Sequence, residues 1–272
     1  TAVPFAQGVL WRLSRDRLPD SFVFGTLHVA DARVVAMALE IDKPLAASRA
    51  LALERIVDDL TGPRVQGVEQ LAEGARLEPL IGADAYARAC TLLLAQGVPE
   101  AAAARMKPWA AMLRIARQPL HDPEASLDQR IVAQARARKL RAVQLEWLKE
   151  QAAAFDAVPR ESQVAVLLHI LDYPELLHEE RAAVVDAWLR GDLEALWRFP
   201  ERASSRRPGM GPHYLQFARH VVQNRTLLMH HRLVVPLRSG RVFVAVGAEH
   251  LPGGKGLLAL AQRDGYTLTR LL

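Results

Sequence analysis

Apolar and polar residues alternate along residues 9–13 (VLWRL) and again along 21–25 (SFVFG). Successive side chains of a strand point to opposite faces, so this pattern predicts two short strands, joined as a hairpin across the turn-rich SRDRLPDS. The chain then reads GTLHVAD, and Asp31 is placed to cap a helix through ARVVAMALE whose pattern continues to Ala50. Residues 51–54 (LALE) are a short apolar run ending in an acid. From about 67 to 203 the period changes. Apolar residues recur at spacings of three and four, the mark of amphipathic helices that pack on one another or on a sheet. Among these segments are VEQLAEGARLEPLI, ADAYARACTLLLAQG and HDPEASLDQRIVAQARARK, the last begun by Asp122 or Ser126. LRAVQLE, between two of the helices, reads as a short strand. Residues 201–212 (ERASSRRPGMGP) read as a mobile loop. A helix follows from about 213 to 233, and residues 241–247 (RVFVAVG) form the clearest strand. LPGGKG then opens a helix, GLLALAQRD, and YTLTRLL follows as a strand.

Strands thus gather towards both ends and helices fill the middle. The expected fold class is α/β (α+β): a central mixed sheet formed by the N- and C-terminal segments, with a large helical insertion as a cap. The chain reads as a single domain over 1–272, with a sheet core at about 1–66 and 213–272 and a helical cap at about 67–212. At 272 residues, with a hydrophobic fraction of 50%, it is long enough to bury a sizeable core. Aromatics make up only 6%, and the abundant Ala and Leu favour helix.

The formal net charge of +5 does little to narrow the partners. The densest basic clusters, RARKLR (136–141) and RASSRR (202–207), lack the interleaved aromatics of a single-strand stacking groove. They read as a solvated helix face and a basic loop, so no nucleic-acid partner is expected, while weak peripheral association with an anionic membrane stays open. Cys90 has no partner for an intrachain disulfide and reads as a buried structural thiol. No segment reaches the ~18 apolar residues of a membrane span. The first residue is Thr1, as in a chain trimmed at a domain edge or matured by signal cleavage.

The candidate chemistry lies in a repeat. Phe24 precedes Gly25-Thr-Leu-His28, and the apolar residues 244–246 precede Gly247-Ala-Glu-His250. Ligands commonly sit beyond the strand ends of an open α/β sheet, and a glycine there permits a tight turn and close backbone approach. Each histidine is therefore expected to project into the crevice. Imidazole is a common metal ligand near neutral pH, but two rarely fill a coordination sphere; a third ligand, often a carboxylate, completes it. Glu54, at the end of LALE, is placed to be that carboxylate, whereas Glu249, adjacent to His250, is expected to point elsewhere. His220, His230 and His231 read as helix-surface residues, and His121, His169, His178 and His213 carry no ligand spacing. There is no GxSxG elbow and no HExxH, and LPGGKG lacks the P-loop order of residues.

GTLH, LALE one helix later, NRTLLMHHRL and FVAVGAEHLPGGKGLLALAQRDGYTL together resemble the TraB/PrgY/GumN family, and the middle stretch LDQRIVAQARARKLRAVQLEWLKEQAAAFDAVP extends the likeness to nearly the whole chain. That family is similar to the TIKI proteins, metal-dependent peptidases acting on Wnt, and more distantly to ChaN-like haem-iron binders and erythromycin esterases. The resemblance implies that His28 and His250 are motif histidines binding a divalent ion of the Zn, Mn or Co type. It implies that Glu54 is the motif acid, as ligand or general base. Arg225 is the motif arginine, stabilising developing negative charge or holding a substrate carboxylate. Thr226 stands where the family usually shows asparagine, though its hydroxyl can still donate and accept. Gly25 and Gly247 support the two turns. The implied activity is hydrolysis of a peptide or protein substrate by a metal-activated water. The rival readings are a haem- or metal-binding envelope protein without turnover, and a scaffold whose helical cap binds a partner. Bacterial members are commonly exported, which implies a periplasmic or envelope location, with the cytoplasm as alternative. Sequence leaves the substrate, the metal and the oligomeric state open.

Overall fold

The computed structural model describes residues 2–29, 31–55, 67–116, 126–198, 201–202 and 207–272. The N-terminal hairpin forms as expected: β1 (Leu10–Arg15) runs antiparallel to β2 (Leu18–Thr26), with Leu10 opposite Phe24. Asp31 caps α1 (Ala32–Glu40), its carboxylate accepting the Arg33 N–H. A short α2 (Asp42–Ala46) follows, and then LALE enters the sheet as β3 (Ala50–Leu53). The helix expected as far as Ala50 therefore stops earlier. All four β3 residues are buried, as in a strand covered on both faces, and periodicity alone does not distinguish such a run from a helix end.

Next come α3 (Glu78–Ile81), α4 (Ala83–Ala95), α5 (Glu100–Ala103), α6 (Pro108–Ala116), α7 (Leu127–Ala137), β4 (Arg141–Gln144), α8 (Leu148–Asp156), α9 (Arg160–Asp172), α10 (Pro174–Leu189) and α11 (Glu194–Trp197). VEQLAEGARLEPLI is mostly irregular: Gly74 takes a positive φ of 80°, and helix is confined to its first two residues and to α3. Ser126 caps α7 by accepting the Gln129 N–H; the alternative cap Asp122 and the neighbouring His121 lie outside the described residues, as do residues 203–206 of the expected loop. The long helix beyond that loop has three parts: α12 (Gly211–Phe217), a π-helical segment (Ala218–Asn224) and α13 (Arg225–Ser239). Then β5 (Val242–Gly247), a 3-10 turn (Ala248–His250), α14 (Leu257–Arg263) and β6 (Thr267–Arg270) follow.

The fold is mixed α/β. Its six strands lie in the order β4-β3-β5-β2-β1-β6. The run β4, β3, β5, β2 is parallel throughout, and β1 is antiparallel to both of its neighbours. The central β5 (VFVAVG) is buried along its whole length, as the apolar run required.

Two hydrophobic cores result. One surrounds the sheet; the other lies among α4, α6, α9 and α12, with Trp109 stacked on Phe155. The boundary drawn from sequence at 67–212 shifts here. Leu127, Ile131, Leu145, Val185 and Trp188, all from within that span, belong to the sheet core. The reason is that β4 pairs in parallel with β3 and draws α7 onto the sheet with it. Trp188 of α10 fastens the helical layer to the sheet, donating its indole N–H to the Gly25 carbonyl at 2.9 Å. Cys90 is half-buried beside the second core. Among the described residues no helix is long and apolar enough to cross a membrane.

Candidate functional site

Parallel pairing decides which residues meet. Thr26 of β2 is level with Gly247 of β5, Leu53 of β3 with Ala245 of β5, and Leu53 with Gln144 of β4. The carboxyl ends of four adjacent strands therefore lie side by side, and His28, His250, Glu54 and Glu146 emerge just beyond them. This is the edge at which open α/β sheets place ligands.

His250 is fully buried at the end of the 3-10 turn. Its Nδ1 lies 2.7 Å from the Thr226 hydroxyl, and that hydroxyl lies 2.7 Å from the Val222 carbonyl. A hydroxyl has one proton, and a carbonyl can only accept. Thr226 therefore donates to Val222 and accepts from His250, so the imidazole proton is on Nδ1. Burial pushes the His250 imidazole below its ordinary value, against the opposing pull of Glu54 and Glu249, so the ring is neutral. Its Nε2 carries a lone pair, is buried, and has no hydrogen-bond partner. It faces two carboxylate oxygens, Oε1 of Glu54 and Oε1 of Glu249, each 3.8 Å away.

Glu54 is held at both oxygens. Oε1 accepts the backbone N–H of Gly247, and Oε2 accepts Arg225 at 2.8 Å. Burial alone would raise its carboxyl, but the Arg225 guanidinium, the His28 imidazole and the Gly247 N–H outweigh burial and hold it below the ordinary carboxylate range. Arg225 is 6% exposed. Besides its bond to Glu54, it grips both oxygens of Glu146 at 2.8 Å and donates to the Val221 carbonyl at 3.1 Å, which commits four of its five N–H groups. The π-helical segment sets this up: its carbonyls at Val221 and Val222 receive Arg225 and Thr226, the first two residues of α13. Such segments are frequent at functional sites.

His28 stands apart. Its side chain is 62% exposed, at the rim, and its Nδ1 lies 2.9 Å from the Asp128 carboxylate. That carboxylate, from the first turn of α7, raises the imidazole well above its ordinary value despite desolvation, with smaller help from Glu54 and Glu249. The two motif histidines thus sit beyond adjacent strands and within electrostatic reach of the same carboxylates. Among the described residues no three His, Cys, Asp or Glu side chains are gathered into a ready-made cation site.

The family model for TraB/PrgY/gumN matches residues 9–270. The chain belongs to the TraB/PrgY/gumN family. No curated protein and no solved structure matches it.

In this TraB/PrgY/gumN chain one residue of the site departs from expectation and two more join it. Glu249 was expected to point away, yet its carboxylate turns back towards His250 Nε2. Gly247 makes the space: a Cβ there would lie 2.6 Å from a Glu249 carboxylate oxygen. Gly25 is needed for a different reason, since a Cβ there would lie 2.9 Å from the Ala248 backbone. The first addition is Glu146, fully buried against Arg225. Its signal was present: VQLE repeats the pattern of LALE, and the two strands that carry these runs are adjacent and parallel. The second is Asp128, the partner of His28 across 100 positions, for which the sequence carried no signal.

Proposed function

We propose that this protein is a metal-dependent hydrolase acting on amide bonds of peptides. One observation carries the reading: a buried, neutral imidazole presents an unpartnered lone pair to two carboxylates. Buried polar groups are almost always satisfied, and lone pairs facing carboxylate oxygens repel unless a proton donor or a cation lies among them. The donor set, imidazole nitrogen with carboxylate oxygen, suits a divalent ion of the zinc, manganese or cobalt type.

His250 and Glu54 would hold the ion, with His28 able to join from the rim through Nε2 while Asp128 engages its Nδ1. When bound, such an ion supplies Lewis acidity, acidifying a water and polarising a carbonyl. Thr226 fixes the His250 tautomer so that Nε2 is the free nitrogen. Arg225 and the Gly247 N–H orient Glu54 from behind, as outer-shell partners of metal ligands do. Arg225 is therefore better suited to positioning Glu54 than to gripping substrate. Glu249, which bonds to neither Arg225 nor Gly247, is the better candidate to accept a proton from an attacking water, a role first considered for Glu54.

The test is elemental analysis of protein purified without chelators, together with cleavage of a mixed peptide library in added zinc, manganese or cobalt. Wild-type protein should retain metal and cleave. His250→Ala should do neither while keeping its circular dichroism spectrum. Thr226→Val should bind metal roughly 10- to 100-fold more weakly, the usual cost of losing an outer-shell partner. Metal-free wild-type protein that cleaves nothing under any of these ions would overturn the reading.

A further inference from the structure

A cavity of about 520 Å³ lies in the helical layer and reaches the site at one end, where Glu249, Val221 and Val222 form part of its wall. The rest of the lining is chiefly apolar and comes from α6, α9, α10, α11 and α12, with Met112, Val166 and Phe217 among the contributors, while Glu180, Arg181 and Glu201 add charged groups to the wall. That volume falls within the range of small-ligand pockets, which pair apolar walls with a few placed polar groups.

One polar group here lacks a protein partner. His169, on α9, lines the cavity and is 3% exposed. Its Nδ1 is engaged with the Tyr214 hydroxyl at 2.9 Å, which fixes the ring, while its Nε2 is buried and has no hydrogen-bond partner. Leaving such a nitrogen unpaired has an energetic cost, so a buried site that retains one is poised to receive a polar atom from elsewhere.

The π-helical segment physically joins this chamber to the chemistry. Ala218, Val221 and Val222 line the cavity, and the carbonyls of the last two hold Arg225 and Thr226. On the far wall, α10 is anchored to the strand end through the Trp188–Gly25 bond.

We propose that this chamber is the specificity pocket of the His250 site, and that it takes a bulky apolar or aromatic substrate group whose far end carries one hydrogen-bonding atom, received by His169 Nε2. The pocket's place in catalysis rests on the hydrolase reading; its ligand preference does not. The chemistry points to substrates with a tyrosine-like group beside the scissile bond. A small group would leave the walls unfilled and His169 unpaired.

The test measures binding of 2-naphthol and of naphthalene to the full chain by equilibrium dialysis, a pair differing only in the hydroxyl. Wild-type protein should bind both and prefer 2-naphthol by about tenfold, the effect of one net hydrogen bond to a buried group. His169→Phe should abolish the preference while naphthalene still binds, and His169→Gln should restore part of it. Ala218→Phe, which fills part of the chamber from the π-helical wall, should weaken both probes by tenfold or more. No binding by wild-type protein, or a preference unchanged in His169→Phe, overturns the inference. Where the hydroxyl preference behaves as described but no peptide is cleaved under any metal, the pocket stands and the hydrolase reading falls. Where peptides are cleaved but Ala218→Phe leaves the ratio of kcat/KM for tyrosine- and alanine-flanked sites unchanged, the hydrolase reading stands and the pocket falls.

Discussion

His28 and His250 each stand three residues beyond a strand-end glycine, yet one is 62% exposed and the other fully buried. The glycines act differently too. Gly25 lets the turn at Ala248 pack against β2, whereas Gly247 lets Glu249 fold back on its own turn. The difference follows from what lies around each strand end. β5 is central, flanked by β3 and β2, and its 3-10 turn tucks beneath the start of α13, where Thr226 waits for His250. β2 leads instead out to the rim, where the nearest polar partner is Asp128 of α7. A repeated motif thus sets where a residue leaves the sheet; its neighbours decide whether the side chain is buried or held at the rim.

The sharpest way to break this contrast is to remove the lock. Arg225→Met leaves Glu146 and Glu54 without their cation, and Glu146 has no exposure to solvent. Removing one partner of a buried ion pair typically costs about 3–5 kcal/mol. Urea unfolding should therefore show a loss of that order, and a change below about 1 kcal/mol would mean that water reaches Glu146 freely.

Next in size is the comparison of the two glycines. Gly25→Ala drives a methyl group into the Ala248 backbone and should destabilise by about 1–3 kcal/mol, as overpacking does. Gly247→Ala meets only the end of the Glu249 side chain, which can swing away, so stability should change by no more than about 0.5 kcal/mol. Metal retention and cleavage should nevertheless fall in Gly247→Ala. Equal losses of stability in the two variants would show that the glycines serve one purpose, contrary to the geometry.

Much of this was legible in the chain. Period-two alternation found the hairpin, the continuous run RVFVAVG found the central strand, and the repeated glycine–histidine spacing placed both histidines at one edge of the sheet. LALE is less easily read than VQLE, because a short run buried on both faces lacks the alternation that identifies a strand. Only their pairing shows that the two acids share Arg225. Asp128 was illegible for another reason: it meets His28 through the packing of α7 on α1, a tertiary contact with no local signature. The direction of Glu249 depended on a 3-10 turn and a missing Cβ, both finer than any hydrophobic pattern.

At the exposed histidine the effect is small, and it has the clearest pH signature. The His28 pKa is raised in the folded state, chiefly by Asp128, so the pair contributes stability that is fully present below the unfolded value of about 6.5 and is lost as pH rises through the folded value. His250 runs the other way: its folded value is depressed by burial, so its contribution is present above about 6.5 and is lost on acidification. Followed by NMR, the two ring resonances should titrate on opposite sides of 6.5. Asp128→Asn should move the His28 midpoint down towards 6.5, leave that of His250 in place, and cost less than about 1 kcal/mol at pH 6, because solvent screens an exposed pair. The deficit should shrink as the pH is raised, since wild-type His28 then loses its own charge. Midpoints that coincide would mean that the two imidazoles share one environment, and the distinction between buried and rim histidine would fail.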